Sequence, residues 1–365
     1  MCEFANSEVK PLAKKLDETG QFPRETFRKA AKLGLTGVAL PEQYGGAGFD
    51  HISYAIVIEE ISRVCASTGT ILSGQNSLYC DPIHRYGTEE QKKRLLLPFA
   101  HGEKIGCFAL TEPQAGSNAR ALKTSAVRRG DRYIVNGTKA WITSGGVADA
   151  AIVYVNSDPA KNEKAITALV IERGTPGFKV GKEEEKLGIN ATACVEFSFS
   201  DCEVRIENRL GQEGEGYKIA LSTLDGGRIG VAAQAVGIGQ GAFEEALHYS
   251  QQRVAFEQPI ANFQAIQFMI ADMATEIAAA RLLTRKAAWK QDTGARYTMD
   301  AAIAKLFASE MATRVTHKAI QIHGGYGYSR EYPVERMYRD ARVTEIYEGT
   351  SEIQRLVIAS CLLKA

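Results

Sequence analysis

The chain has 365 residues, 45% of them hydrophobic and 24% charged, and 44 Lys and Arg against 43 Asp and Glu leave a formal net charge of +1. Single cores stop growing at about 250–300 residues, so two or three domains are expected. The balanced charge supplies no global field to recruit nucleic acid or an anionic membrane, so any anionic ligand has to be held by a local site.

No run approaches the roughly 18 consecutive apolar residues that a membrane helix needs, so no membrane insertion is expected. Met1-Cys2-Glu3-Phe4-Ala5-Asn6-Ser7-Glu8 lacks a basic-then-apolar signal pattern. A cytoplasmic location is expected, or the mitochondrial matrix for a processed eukaryotic chain. The cysteines at 2, 65, 80, 107, 194, 202 and 361 are odd in number and show no CxxC spacing, which points to reduced, packed thiols. The histidines form no HxxxH or HxH pair, so no metal site is expected.

From Met1 to about Gly106 the pattern is helical. Phe4, Val9, Leu12, Ala13 and Leu16 recur at helix spacing, and Phe22-Pro23 opens a second helix that ends at Leu33-Gly34. Pro41 to Gly48 is a Gly-rich loop without the spacing of a phosphate cradle. Ile52 to Arg63 and Thr88 to Phe99 follow as amphipathic helices. At Cys107 the period changes. Phe108 to Thr111, Tyr133 to Gly137, Ala151 to Val155, Ala165 to Ile171 and Cys194 to Phe199 are short β-branched or aromatic runs between turn residues. Asn136-Gly137 is a hairpin-turn dipeptide, and Lys182 to Lys186 is expected to be a solvated loop. Long helical pieces then return at Gly216 to Arg253, Asn262 to Asp292, Asp300 to Ile322 and Ser351 to Leu363. The expected architecture is α+β and multidomain: an N-terminal helical domain at 1–106, a middle β-barrel or sandwich at 107–209, and a C-terminal four-helix bundle at 210–365.

Several stretches carry residues suited to chemistry. Thr111 to Asn118 follows a strand and offers hydroxyls and a glycine, as a phosphate-approaching loop or an ordinary turn does. Trp141-Ile142-Thr143 alternates an aromatic with a hydroxyl along a strand. Asp225-Gly226-Gly227-Arg228 interrupts an apolar helix with two glycines that cost roughly 1 kcal/mol each against Ala, offset either by a ligand's approach or by tight helix packing. Gln321 to Tyr328 ends a helix in a Gly-rich turn, in which His323 is expected to be structural. Arg342 to Arg355 places Glu348 beside Gly349, Thr350 and Ser351, at a helix start.

The stretch Arg342 to Arg355 is very similar to the C-terminal signature of acyl-CoA dehydrogenases. The same family pattern recurs at Thr111-Glu112-Pro113, Trp141-Ile142-Thr143, Asp225 to Arg228 and Gln321 to Tyr328. The likeness covers nearly the whole chain in order and is greatest to the short-chain and bacterial butyryl-CoA branch; relative to that family the chain starts slightly late, so part of the first helix is expected to be missing. The resemblance implies a flavoprotein that binds FAD through Phe108, Leu110, Thr111, Gly116, Ser117, Trp141, Thr143, Tyr347 and Thr350, with Arg253, Phe256, Gln321 and Gly325 reaching a neighbour's FAD. It also implies acyl-CoA contacts at Ser117, Asp225, Arg228 and Gly349.

The resemblance further implies that Glu348 is the α-proton base of an acyl-CoA thioester dehydrogenation. The branch that carries its base on the helix of Asp225 to Arg228 would place it at Gly227. The electron acceptor implied is an electron-transfer flavoprotein, and the assembly a homotetramer built as a dimer of dimers. The related acyl-CoA oxidases are typically much longer chains. The family pattern usually has Gly at Gln114 and at Glu257, Asp at Asn118 and a polar residue at Ala255, so contacts in those corners are expected to differ. A rival class within the same fold is a non-catalytic or DNA-associated relative, against which stand the presence of Glu348 and the lack of basic excess.

Overall fold

The computed structural model describes residues 1–158 and 165–363. Its first helices run almost without a break: α1 (Cys2–Phe4) passes through a π-helical and a 3-10 turn into α2 (Ala13–Thr19), which Gly20 ends in the left-handed conformation. Next, α3 (Arg24–Lys32) buries Thr26, Phe27 and Ala30. Asp50 caps α4 (His51–Val64) by accepting the Ser53 N–H at 2.7 Å. Beyond it lie α5 (Ala66–Ser73), α6 (Asp81–Tyr86), α7 (Glu89–Gln91) with its Thr88–Gln91 capping box, and α8 (Leu97–Ala100). Sequence periodicity misses α5 because every one of its residues is buried, which leaves no polar face for the pattern to alternate with.

The β-rich block is one eight-stranded sheet made of β1 (Gly106–Ala109), β2 (Ser125–Arg129), β3 (Arg132–Ile142), β4 (Ala150–Asn156), β5 (Ile166–Glu172), β6 (Phe178–Glu183), β7 (Val195–Arg205) and β8 (Arg209–Leu210). The strand order is β6-β7-β3-β2-β4-β5-β8, with β1 parallel to β4. Three local expectations fail here. Asn136-Gly137 is not a turn: it lies inside β3, where a bulge opposite β7 and a φ of 143° at Gly137 absorb the extra residue, while the β2–β3 turn is made around Gly130. Trp141 and Thr143 do not alternate along a regular strand, because Trp141 has a φ of 60°, the register shifts between Lys139 and Ile142, and Thr143 lies past the strand end. Lys182 and Glu183 belong to the end of β6, so only the rest of that charged run is loop.

The C-terminal part holds α9 (Gly216–Gln252), a small hairpin of β9 (Val254–Ala255) and β10 (Gln258–Pro259), α10 (Gln264–Asp292), α11 (Thr298–His323), α12 (Val334–Arg342) and α13 (Ser351–Leu363). The long helices end within a few residues of where the sequence places them; the charge-rich α12 is the one it leaves out. Its last turn ties the three parts together. Arg339 reaches Asp17 of α2 at 2.6 Å and Glu335 at 2.8 Å, and the Asp340 carboxylate accepts the Ile189 N–H of the β-rich block at 2.6 Å.

The central helix α9 packs against α4, α10 and α11. On its α4 and α5 side stand Gly230, Gly237 and Gly241, where an added Cβ would lie 2.3 Å from Ser73 Oγ, 2.2 Å from the Glu59 carbonyl and 2.1 Å from the Arg63 carbonyl. Gly237→Ala is therefore expected to destabilise the fold by about 1–3 kcal/mol through overpacking. Gly226→Ala, whose Cβ would meet nothing closer than Gln291 Nε2 at 3.6 Å, is expected to be neutral or stabilising by up to about 1 kcal/mol. Paired thermal melts check both.

Candidate functional site

Glu348 sits where a 3-10 turn (Val343–Glu345) gives way to α13, with a φ of 52°, followed by Gly349 at 94°. A non-glycine residue in the left-handed region is strained by about 1–2 kcal/mol and persists only where its surroundings fix it. Here they do. Gln354 Nε2 donates to the carbonyls of Glu348 (3.2 Å) and Gly349 (2.8 Å), Lys305 Nζ donates to the Gly349 carbonyl (2.7 Å), and Arg228 Nε reaches the Glu348 carbonyl at 3.5 Å. Thr350 then caps α13 through the Ile353 N–H at 3.3 Å.

The Glu348 carboxylate is turned inward against α9. Its Oε2 is buried without a hydrogen-bond partner among the described residues, and a Cβ built on Gly227 would fall 2.1 Å from it. Burial pushes the carboxyl up to about 7, with Arg228 and then Lys305 pulling the other way. Arg228, only 4% exposed, pairs with Asp225 at 2.7 Å, and Asp225 also accepts from Thr298 at 2.7 Å. Burial raises the Asp225 carboxyl, against the pull of Arg228. Beside Glu348, the Tyr347 hydroxyl donates to Gln234 Oε1, and Gln234 Nε2 donates to Thr70 Oγ1 at 2.7 Å. Thus Glu348, Gly349, Tyr347, Asp225 and Arg228 form one cluster, and Gly227 is small because Glu348 fills the space a side chain would need. An inward carboxylate, desolvated and left without a partner on one oxygen, is suited to taking a proton from a bound substrate.

Three family models match the chain: acyl-CoA dehydrogenase N-terminal domain over residues 1–103, middle domain over 107–202 and C-terminal domain over 214–363. The short-chain specific acyl-CoA dehydrogenase of Clostridium acetobutylicum is 51% identical over 362 residues, 99% of this chain and 96% of that one. Two solved structures superpose over nearly the whole chain. One is butyryl-CoA dehydrogenase from Megasphaera elsdenii (TM-score 0.97, 47% identity, 99% of this chain and 95% of that one). The other is a chain from a structure of the electron transferring flavoprotein of Acidaminococcus fermentans (TM-score 0.99, 48% identity, 100% and 96%).

The chain belongs to the acyl-CoA dehydrogenase family. Acyl-CoA dehydrogenases are FAD flavoproteins and oxidoreductases, and the residues of this chain fit the group. Trp141 is 58% exposed although it borders the sheet core, Thr111 and Thr143 offer partly buried hydroxyls, and Gly116 leaves its loop open, with nothing within 4 Å of an added Cβ. Phe108 packs on Tyr154 with ring centres 5.0 Å apart, Leu110 is buried, and Ser117 is exposed. These pieces are fastened by a fully buried ion pair, Lys139–Glu112 at 2.7 Å. Lys139 also donates to the Leu110 carbonyl at 3.1 Å, and its neighbour Ala140 donates its N–H to the Thr111 carbonyl at 2.9 Å. Glu112 accepts the Lys123 and Thr124 N–H groups and Gln114 Nε2, so the unusual Gln114 has a local partner.

Arg253, Phe256, Gln321 and Gly325 stand elsewhere. At 1.5 Å per residue, the far end of α9 is roughly 35 Å from Arg228. There Arg253 stacks on Tyr326 at 5.6 Å, and Arg253, Gly325, Tyr326, Tyr249 and His323 line a cavity of about 550 Å³. Gln321 is exposed one turn before it. Phe256, 89% exposed, and Glu257 form the two-residue tip of the β9–β10 hairpin, both with positive φ. His323 bonds the Ala319 carbonyl and stacks on Tyr249, as a structural residue does. No group of three or more metal-ligating side chains occurs among the described residues, and no helix there is long and apolar enough to cross a membrane.

Sequence reasoning missed Lys305, Gln354, Gln234 and the Lys139–Glu112 pair. The available signal was a lone charge on an otherwise buried face: Lys305 between Ala304 and Ala308 of α11, and Lys139 before Ala140 of β3. Lys139→Met, which leaves Glu112 buried without its cation, is expected to cost about 3–5 kcal/mol, and the double variant Glu112→Leu/Lys139→Met to recover part of it. Denaturant unfolding of the flavin-loaded protein, with release of FAD followed by fluorescence, measures both effects.

Proposed function

We propose that the protein oxidises a short-chain, butyryl-CoA-like acyl-CoA thioester to the trans-2-enoyl-CoA, with Glu348 as the α-proton base. The observation that carries this reading is the Glu348 Oε2, buried, without a partner and facing a glycine on α9. Desolvation raises the basicity of the carboxylate, and Arg228 and Lys305 keep it ionisable. Gly227 leaves no second carboxylate at the alternative base position. FAD, when bound, would supply the hydride acceptor for the β-hydrogen. On this chain's side, Thr143 and Thr111 are the hydroxyls to hold its reactive and pyrimidine edges, Trp141 is the wall beside it, and the Glu348 N–H is a donor for the thioester oxygen as enolate charge develops.

The short-chain assignment is supported by the Clostridium relative, described as short-chain specific, and by the butyryl-CoA dehydrogenase from Megasphaera. An electron-transfer flavoprotein as electron acceptor is supported by the likeness to the Acidaminococcus structure. A homotetramer is supported by the position of Arg253, Phe256 and Gly325, too far along α9 to serve the flavin beside this chain's own Glu348 and exposed enough to complete a neighbour's. The non-catalytic alternative is disfavoured by the retained, desolvated Glu348.

The test is anaerobic bleaching of the flavin by butyryl-CoA in stopped flow. Glu348→Gln keeps size and turn but removes the proton-accepting oxygen, so FAD and acyl-CoA still bind while reduction falls on the order of 10²–10⁴-fold; near-normal reduction in that variant would sink the assignment. In the wild type, kcat/KM is expected to rise with pH through about 7, the pH at which the free enzyme's Glu348 loses its proton. Butyryl-CoA is expected to bleach the flavin faster than octanoyl-CoA.

A further inference from the structure

Lys305 is an ammonium in an unusual setting. It lies on the alanine-rich face of α11, with Ala301, Ala304 and Ala308 around it, and has no solvent exposure. Its one hydrogen bond is to the Gly349 carbonyl at 2.7 Å, and no carboxylate stands within contact distance of it among the described residues. The other fully buried lysine, Lys139, has Glu112 in direct contact. A buried ammonium without a contact ion pair is costly, so its retention calls for a return elsewhere.

The hydrogen bond alone does not supply that return. Gln354 Nε2 already donates to the same Gly349 carbonyl and to that of Glu348, so the left-handed turn is held without Lys305. What Gln354 cannot supply is charge. The groups facing the site are Asp225 and Arg228 of α9, Glu345 in the turn before Glu348, Tyr347 beside it, Glu352 of α13 and Tyr54 of α4. Arg228 exerts the larger pull on Glu348, but Asp225 at 2.7 Å cancels part of that field. Glu345 pairs with Arg342 at 2.9 Å and bonds Thr313, and Glu352 is exposed. Glu348 is the acid left facing Lys305, and the strongest through-space attraction on Lys305 comes from it.

We propose that Lys305 is a positioning residue whose buried ammonium, fastened to the Gly349 carbonyl, supplies the uncancelled counter-charge that keeps the desolvated Glu348 carboxylate ionised. This rests on the assignment of Glu348 as the base and names the group that lets it work near neutral pH. Burial holds Lys305 down to about 8, so its charge is present while Glu348 titrates near 7.

The experiment uses the FAD-loaded protein with Lys305→Gln, which keeps a donor for Gly349 but removes the charge, and Lys305→Met, which removes both. Protonation of Glu348 is followed without substrate by infrared difference titration, its carboxyl band assigned by its absence in Glu348→Gln. Both variants are expected to raise the titration midpoint by about one pH unit or more, and the acid limb of butyryl-CoA-driven flavin reduction is expected to move up with it. A wild-type midpoint in Lys305→Gln overturns the proposal and leaves Lys305 as a structural prop; this arm stands even if Lys305→Met fails to fold. A midpoint that moves while the flavin-reduction limb stays put overturns the base assignment instead and leaves the counter-charge standing.

Discussion

The close approach of α9 to its neighbours is the constraint on which the rest of the structure depends. Its glycines at 227, 230, 237 and 241 share one face, and each stands where a side chain would collide: with Glu348, with Ser73 and Tyr54, and with the α4 backbone at Glu59 and Arg63. Glycine in a helix interior costs roughly 1 kcal/mol against alanine, so this stripe spends propensity on distance. The gain is twofold. α4 docks with backbone nearly touching backbone, and at Gly227 the same shortage of side-chain volume makes room for a carboxylate that arrives from a turn more than a hundred residues later. Helix packing and the seat of the buried Glu348 carboxylate are two consequences of one sequence feature.

The second organising principle is how the fold keeps charge out of water. Lys139–Glu112 is a contact pair enclosed in protein, in which burial pushes the Glu112 carboxyl up while Lys139 and the backbone donors pull it below its ordinary value. It fastens the loop after β1 to the end of β3, the two edges that present Thr111 and Trp141, and it leaves both charges fully satisfied. Around Glu348 the arrangement is the reverse. Arg228 is partly neutralised, Lys305 is at a distance, and one carboxylate oxygen has no partner. A satisfied pair gives rigidity, and an unsatisfied one gives reactivity.

That division explains what could be read in the sequence. The long helices of the C-terminal part were legible because they run as long pieces with few breakers, which holds even for α9, buried without a break from Gly226 to Gly239, and the Glu348-Gly349-Thr350 start was legible because capping chemistry is local. Features set by tertiary context were not. α5 shows no periodicity, being buried all round, and Asn136-Gly137 spells a hairpin yet is overridden by pairing of β3 with β2 and β7 on both sides. Asp225 to Arg228 left ligand approach and helix packing as equal explanations. The structure separates the two glycines: Gly227 faces Glu348 and Leu78, while Gly226 has ordinary clearance. Lys305 and Lys139 were the harder omission, because a charge on an apolar face looks like noise in a hydrophobicity pattern until its partner is known from the fold.

The charges at the site also fix how function and stability oppose each other. The Glu348 carboxyl is raised from its ordinary 4.5 to about 7 in the folded chain, so its contribution to stability is fully present below 4.5 and is lost as pH rises through about 7. The Lys305 ammonium is lowered from 10.5 to about 8, so its contribution is present above 10.5 and is lost as pH falls through about 8. Between about 7 and 8 both groups are charged and neither contribution remains. This is the interval in which the carboxylate can accept a proton with its counter-ion in place. With Glu348 as the proposed base, the site would act where its two buried charges stabilise the fold least, leaving the close packing of α9 and the satisfied Lys139–Glu112 pair to supply the difference.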